Sequence, residues 1–115
     1  SGNPLTVNSG LTVLKILAKE NPYLKLAGLT QNLCHDVSLQ FQENGIKAKV
    51  NFIGSIFNIS MDKELFKKLY HRLLKEGVYL APSQFEVNFV SAVHTIKDIE
   101  KTKKAIDKVC SFLRR

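Results

Sequence analysis

Lys47-Ala48-Lys49-Val50-Asn51-Phe52-Ile53-Gly54-Ser55-Ile56-Phe57-Asn58-Ile59-Ser60 is the stretch whose reading decides the fold. Ala48, Val50 and Phe52 alternate with Lys47, Lys49 and Asn51, the period of two that sends successive side chains to opposite faces of a strand. Phe57 and Ile59 carry the alternation past Gly54, so Lys47 to Ile53 and Ser55 to Ser60 are predicted as neighbouring antiparallel strands. Such a hairpin has one apolar face, which must be covered by another layer.

The flanking sequence supplies the layer as helices. Downstream, Asp62 is a capping residue for a helix with Leu65, Phe66, Leu69 and Leu73 on its buried stripe and Gly77 at its stop. The other face of that helix is basic, with Lys67, Lys68, Arg72 and Lys75. Upstream, Asn21-Pro22 is a helix-start signal, and Leu26, Leu29, Leu33, Val37 and Phe41 recur at spacings of three and four until Asn44-Gly45 ends the run. An earlier helix is predicted from Pro4 to about Glu20 with Val7, Leu11, Leu14 and Ala18 on one face. After Gly77, Val78 to Leu80 is expected as a short strand, Pro82-Ser83 as a turn and Val87 to Val93 as a second strand. Thr95 and Asp98 have the spacing of a capping box, opening a last helix with the stripe Ile99, Thr102, Ile106, Val109 and Leu113. The order is ααββαββα. It implies the α+β class, a small, mostly antiparallel sheet with helices packed on one face.

At 115 residues the chain fits a single domain, residues 1–115, small for a self-contained cofactor enzyme. The balance of 44% hydrophobic and 23% charged residues excludes a disordered or fibrous chain. No run approaches the length of a membrane span and no signal-peptide pattern is present, so the expected setting is cytoplasmic and reducing, with no membrane partner. Cys34 and Cys110 fall on apolar stripes as small core residues. His35, His71 and His94 lack ligand spacing and no CxxC pair exists, so no metal site is expected. No Ser-His-Asp order, paired carboxylates, phosphate-binding Gly-rich loop or HExxH motif is present either. Any chemistry must draw on residues from elsewhere, or the chain only binds.

Residues 78–95 hold one carboxylate, Glu86, in an otherwise uncharged strand-like stretch. Two readings stand on the residues alone: an edge-strand glutamate facing water, or an acid whose cation comes from outside the segment. The run Gly77-Val78-Tyr79-Leu80-Ala81-Pro82-Ser83-Gln84-Phe85-Glu86, then Ser91-Ala92-Val93-His94-Thr95, resembles the C-terminal signature of the glutamate-1-semialdehyde 2,1-aminomutases, a branch of the class III pyridoxal-phosphate (PLP) aminotransferases. Ser1-Gly2-Asn3-Pro4 and Gly54-Ser55-Ile56-Phe57 match the same pattern in order. The first of these marks class III broadly, whereas the Pro-Ser-Gln-Phe-Glu block is narrower.

The resemblance implies the small C-terminal domain of a fold-type I homodimer, in which PLP is held by a Schiff-base lysine of a large domain. That lysine and a phosphate-contacting threonine lie upstream in the family, adjoining the position of Ser1, Gly2 and Asn3 here. The chain is therefore expected to carry no cofactor-binding or catalytic residue and to be inactive alone. Residues 1–20 are the linking helix that would lie on the large domain. The implied reaction moves an amino group within one substrate, giving 5-aminolevulinate for tetrapyrrole synthesis. Glu86, Ser83 and Gln84 are the expected substrate-side and closure residues. Glu86 stands where related aminotransferases place a carboxylate-binding arginine, and in the family it pairs with an arginine of the large domain.

The resemblance breaks between Phe57 and Asp62, where the family has a longer strand and an acidic loop. A divergent class III aminotransferase is thus an open alternative. So is a basic module for RNA or an acidic partner, given the net charge of +7 and the cluster Lys97, Lys101, Lys103, Lys104 and Lys108. No aromatic is interleaved with the lysines, and the main reading therefore names no specific nucleic acid as a partner.

Overall fold

A computed structural model describes residues 22–90 and 96–114. The predicted helix from Pro4 to Glu20, the Thr95 half of the capping box and the downstream part of the last predicted strand lie outside the described residues.

The decisive hairpin forms as expected. Strand β1 (Ala48–Ile53) pairs antiparallel with β2 (Ile56–Met61), in a register that sets Ala48 opposite Met61, Val50 opposite Ile59 and Phe52 opposite Phe57. Gly54 takes the first position of the two-residue turn with φ 57°, a left-handed conformation costly to other residues. Ile59 and Phe57 are buried, and Ala48, Val50 and Met61 pack against the same core. Phe52, at the hairpin tip, stays half exposed, with no described helix covering it.

Helix α1 (Pro22–Glu43) lies against β1 and buries Leu29, Leu33, Val37 and Phe41, the predicted stripe. Its C-terminus is closed by the Ile46 amide donating to the Phe41 carbonyl, with Gly45 at φ 68°. Helix α2 (Lys63–Lys75) starts where the Asp62 carboxylate accepts from the Leu65 amide at 3.1 Å, and buries Phe66, Leu69 and Leu73. Helix α3 (Ile96–Leu113) packs on both α1 and α2 through Ile99, Ile106 and Val109. Cys34 of α1 and Cys110 of α3 are buried free thiols, and burial pushes each up to about 12, with Asp107 adding to the rise at Cys110.

The second half of the sheet departs from expectation. Val78 to Leu80 is assigned no strand: Val78 and Leu80 are buried and Tyr79 is exposed, but the segment pairs with no strand among the described residues. Strand β3 comprises only Asn88–Phe89, antiparallel to β2, with Phe89 opposite Ile56 and Asn88 opposite Phe57. The described sheet therefore has the order β1-β2-β3, with the described helices over the face that carries Val50 and Ile59. Lys103, one of the basic cluster on the last helix, is buried. Its ammonium donates to the Asn32 amide oxygen and lies 3.8 Å from Asp36 of α1 and 3.4 Å from Glu100.

Candidate functional site

Residues 81–87 form a tight loop along the outer edge of β2 instead of the start of a strand. Pro82 and Ser83 begin it, as the turn signal predicts. The Ser83 hydroxyl accepts from the Phe85 amide at 3.1 Å and its carbonyl accepts from the Glu86 amide at 3.0 Å. These local bonds take up the backbone groups that a strand would have offered to a neighbour, which is why the ladder begins only at Asn88.

Two amides fasten the loop to the sheet. The Gln84 side-chain oxygen accepts from the Met61 amide at 2.9 Å, and the Gln84 carbonyl accepts from the Asn58 side chain at 3.2 Å. Asn88 makes the second fastening, accepting from the Ala81 amide at 2.7 Å and donating to the Phe57 carbonyl at 3.3 Å. The Val90 amide donates to Ser55, so the segment is held at both ends. Each bond contributes about 1 kcal/mol, and their joint effect is to fix where the loop's remaining side chains emerge.

Glu86 and Phe85 emerge into solvent. Glu86 is exposed on the loop, so the structure places it neither in a strand nor in an apolar pocket, and the expectation of a carboxylate within a strand is corrected. Phe85 is 92% exposed, Tyr79 80% and Phe89 65%, an unusual density of bare aromatics for eleven residues of sequence. Phe89 continues across the sheet to Ile56 and then Ile53, its register neighbours. The three predicted residues are thus brought together, but in different capacities. Ser83 and Gln84 shape the loop, and Glu86 is displayed by it.

Asn88 was missed by sequence reasoning. Its signal was an amide at a core-facing position of an otherwise apolar alternation, Val87-Asn88-Phe89-Val90.

No family model matches the chain. Among curated proteins, glutamate-1-semialdehyde 2,1-aminomutase of Natranaerobius thermophilus is 36% identical over 125 aligned positions, which take in 96% of this chain. The chain is a relative of that aminomutase. It spans 29% of the aminomutase's length. Solved structures agree on the fold: a transaminase with PLP bound superposes with a TM-score of 0.73 at 19% identity, over 79% of this chain and 23% of the other. The PLP internal aldimine form of the FumI protein of Sphingopyxis sp. MTA144 gives 0.68 at 28% identity, over 82% and 23%.

Lys103 is the buried lysine among the described residues, and it is committed to Asn32, Asp36 and Glu100. Lys25 is half-buried near the start of α1, and the other described lysines are exposed. Among the described residues no group of His, Cys, Asp and Glu is arranged to hold a metal ion, and no helix is long and apolar enough to cross a membrane.

Proposed function

We propose that this chain is the C-terminal domain of a glutamate-1-semialdehyde 2,1-aminomutase, a PLP-dependent enzyme that moves an amino group within one substrate to give 5-aminolevulinate for tetrapyrrole synthesis. The alignment over 96% of the chain carries the reading. In it, a large domain supplies the Schiff-base lysine and the phosphate contacts, the working enzyme is a cytoplasmic homodimer, and the isolated chain is inactive.

The chain's own part is to close and orient. Gln84 and Asn88 hold the 81–87 loop, Ser83 sets its turn, and Glu86 is presented to a guanidinium of the large domain. An exposed carboxylate contributes little until desolvated, so its pairing strengthens only when the domains close and water leaves. Phe85, Tyr79 and Phe89 give the loop an apolar surround that such closure would bury.

Glu86→Gln in the complete enzyme tests the role. It preserves shape and removes charge, and it should lower kcat/KM by about tenfold, the cost of losing one charge-assisted hydrogen bond. Unchanged substrate affinity and turnover would refute the assignment. A class III aminotransferase acting on another substrate is the second reading, favoured by the direct passage from β2 through Asp62 into α2. Conversion of glutamate-1-semialdehyde without added amino acceptor separates the two.

A further inference from the structure

The basic face of α2 does not stand alone. Its rows Lys67, His71, Lys75 and Lys68, Arg72 run side by side on one helix at spacings of four, and they form one wall of a groove of about 620 Å3. The opposite wall is the end of α3, where the Arg72 guanidinium lies 4.3 Å above the centre of the Phe112 ring. The sequence has no aromatic among these lysines. Folding brings one to them from forty residues away.

That stacking matters because it holds Arg72 rigid while its edge stays open. A guanidinium fixed on a ring keeps its fork of donors free for an anion, and less freedom is lost on binding. Among the described residues, Lys67, Lys68, Arg72 and Lys75 make no ion pair, and the groove's one carboxylate is Glu64 at its N-terminal end. The other lysine-lined cleft, along α3, differs on this point. There Glu76, which holds Lys108 at 3.0 Å, and Glu100 both stand among the lysines, two carboxylates against the one at the end of the α2–α3 groove.

We propose that the α2–α3 groove is a binding site for a small molecule bearing two or more linked phosphates, with the phosphates on Lys68, Arg72 and Lys75 and any planar ring against Phe112. The four cations, from Lys67 to Lys75, span about 12 Å of helix, which is the reach of a compact oligophosphate. The volume falls in the range of small-molecule pockets. One ring cannot stack successive bases, which argues against single-stranded RNA. An extended acidic peptide would spread its carboxylates at about 6.6 Å intervals along one side, too sparsely for cations packed in two adjacent rows.

Calorimetric titration of the full chain with sodium tripolyphosphate, and then with ATP, at 50 and 150 mM NaCl tests this. Saturable binding to one site is expected, weaker at the higher salt. The double variant Lys68→Ala/Arg72→Ala, whose side chains are exposed and whose fold is checked by circular dichroism, should bind both probes at least tenfold more weakly. Arg72→Lys should lose several-fold despite keeping its charge. Phe112→Leu should weaken ATP more than tripolyphosphate, and Lys101→Ala/Lys104→Ala, in the other cleft, should change neither. The proposal is overturned by non-saturable heats, by an equal loss in the Lys101/Lys104 variant, or by tighter binding of poly-glutamate or single-stranded RNA to the same residues.

Discussion

Phe41, Ile59, Leu69, Ile106 and Val109, in the helical layer and on the sheet face beneath it, are each at most 2% exposed, whereas Phe85, Tyr79 and Ile53, in the 79–89 segment and at the hairpin tip, are 92%, 80% and 74% exposed. Both regions use large apolar side chains, but only the first gives them partners within the described residues. In the first, position is set by packing, where one methylene is felt. In the second it is set by a few amides, Gln84, Asn58 and Asn88, which hold backbone while leaving aromatic rings bare. Side chains meant for an outside partner are better held by directional bonds than by burial, because burial would consume the surface to be offered.

The contrast is open to direct attack, most strongly on the helical side. Lys103→Ala leaves Asp36 buried without its cation and should lower unfolding stability by about 3 kcal/mol in urea denaturation. Lys103→Met with Asp36→Leu should cost less than the two single changes added together, since it removes the pair and keeps the volume. A smaller effect is expected at the hairpin. Gly54→Ala puts a side chain at φ 57° and should cost about 1 kcal/mol, although no atom lies within 4 Å of the new Cβ. Gln84→Ala, on the loop side, should cost about 1 kcal/mol globally and speed hydrogen exchange at the Met61 amide far more than at Ser60, whose amide faces β1. Equal exchange at both would mean that the loop is not fastened as described.

The smallest stability effect belongs to Phe85→Ala, expected to be within about 0.5 kcal/mol because the ring is almost wholly in water. A large loss there would show that the loop is packed. The buried thiols give the pH counterpart. With folded values of about 12 against an ordinary 9, both stay protonated in the fold while the unfolded chain ionises above pH 9. Stability from this source is therefore level below pH 9 and falls from 9 toward 12. Below pH 9, alkylation of Cys34 and Cys110 should be slow in the native chain and fast in denaturant.

Much of the helical region could be read from the chain, since Leu29, Leu33, Val37 and Phe41 repeat with the helix and Val50 and Phe57 alternate with the strand. Periodicity reports burial, and there burial is what holds the structure. The 78–89 segment also alternates apolar and polar residues, but a side-chain amide can replace a ladder bond without leaving a periodic trace. Hence Val78 to Leu80 reads as a strand in the sequence and Glu86 as part of a strand-like stretch, while the bonds of Asn88 leave no mark there. The burial of Lys103 and the stacking of Phe112 on Arg72 leave no trace in the sequence for a related reason. Their surroundings come from α1 and α2, and no local pattern encodes a neighbour seventy or forty residues away. The Pro-Ser-Gln-Phe-Glu block pointed to the relative correctly, since resemblance compares whole motifs without needing to know which bonds each residue makes.

The Gln84 side chain also bears on how the molecule behaves at high concentration. Beyond the two residues of β3, the edge of β2 would present the Met61 amide as a template for a strand from another copy. Gln84 occupies that amide with an acceptor that cannot propagate a sheet. A chain with Gln84→Ala should therefore form fibrils sooner on agitation than one with Phe85→Ala, even though the latter loses the larger apolar surface.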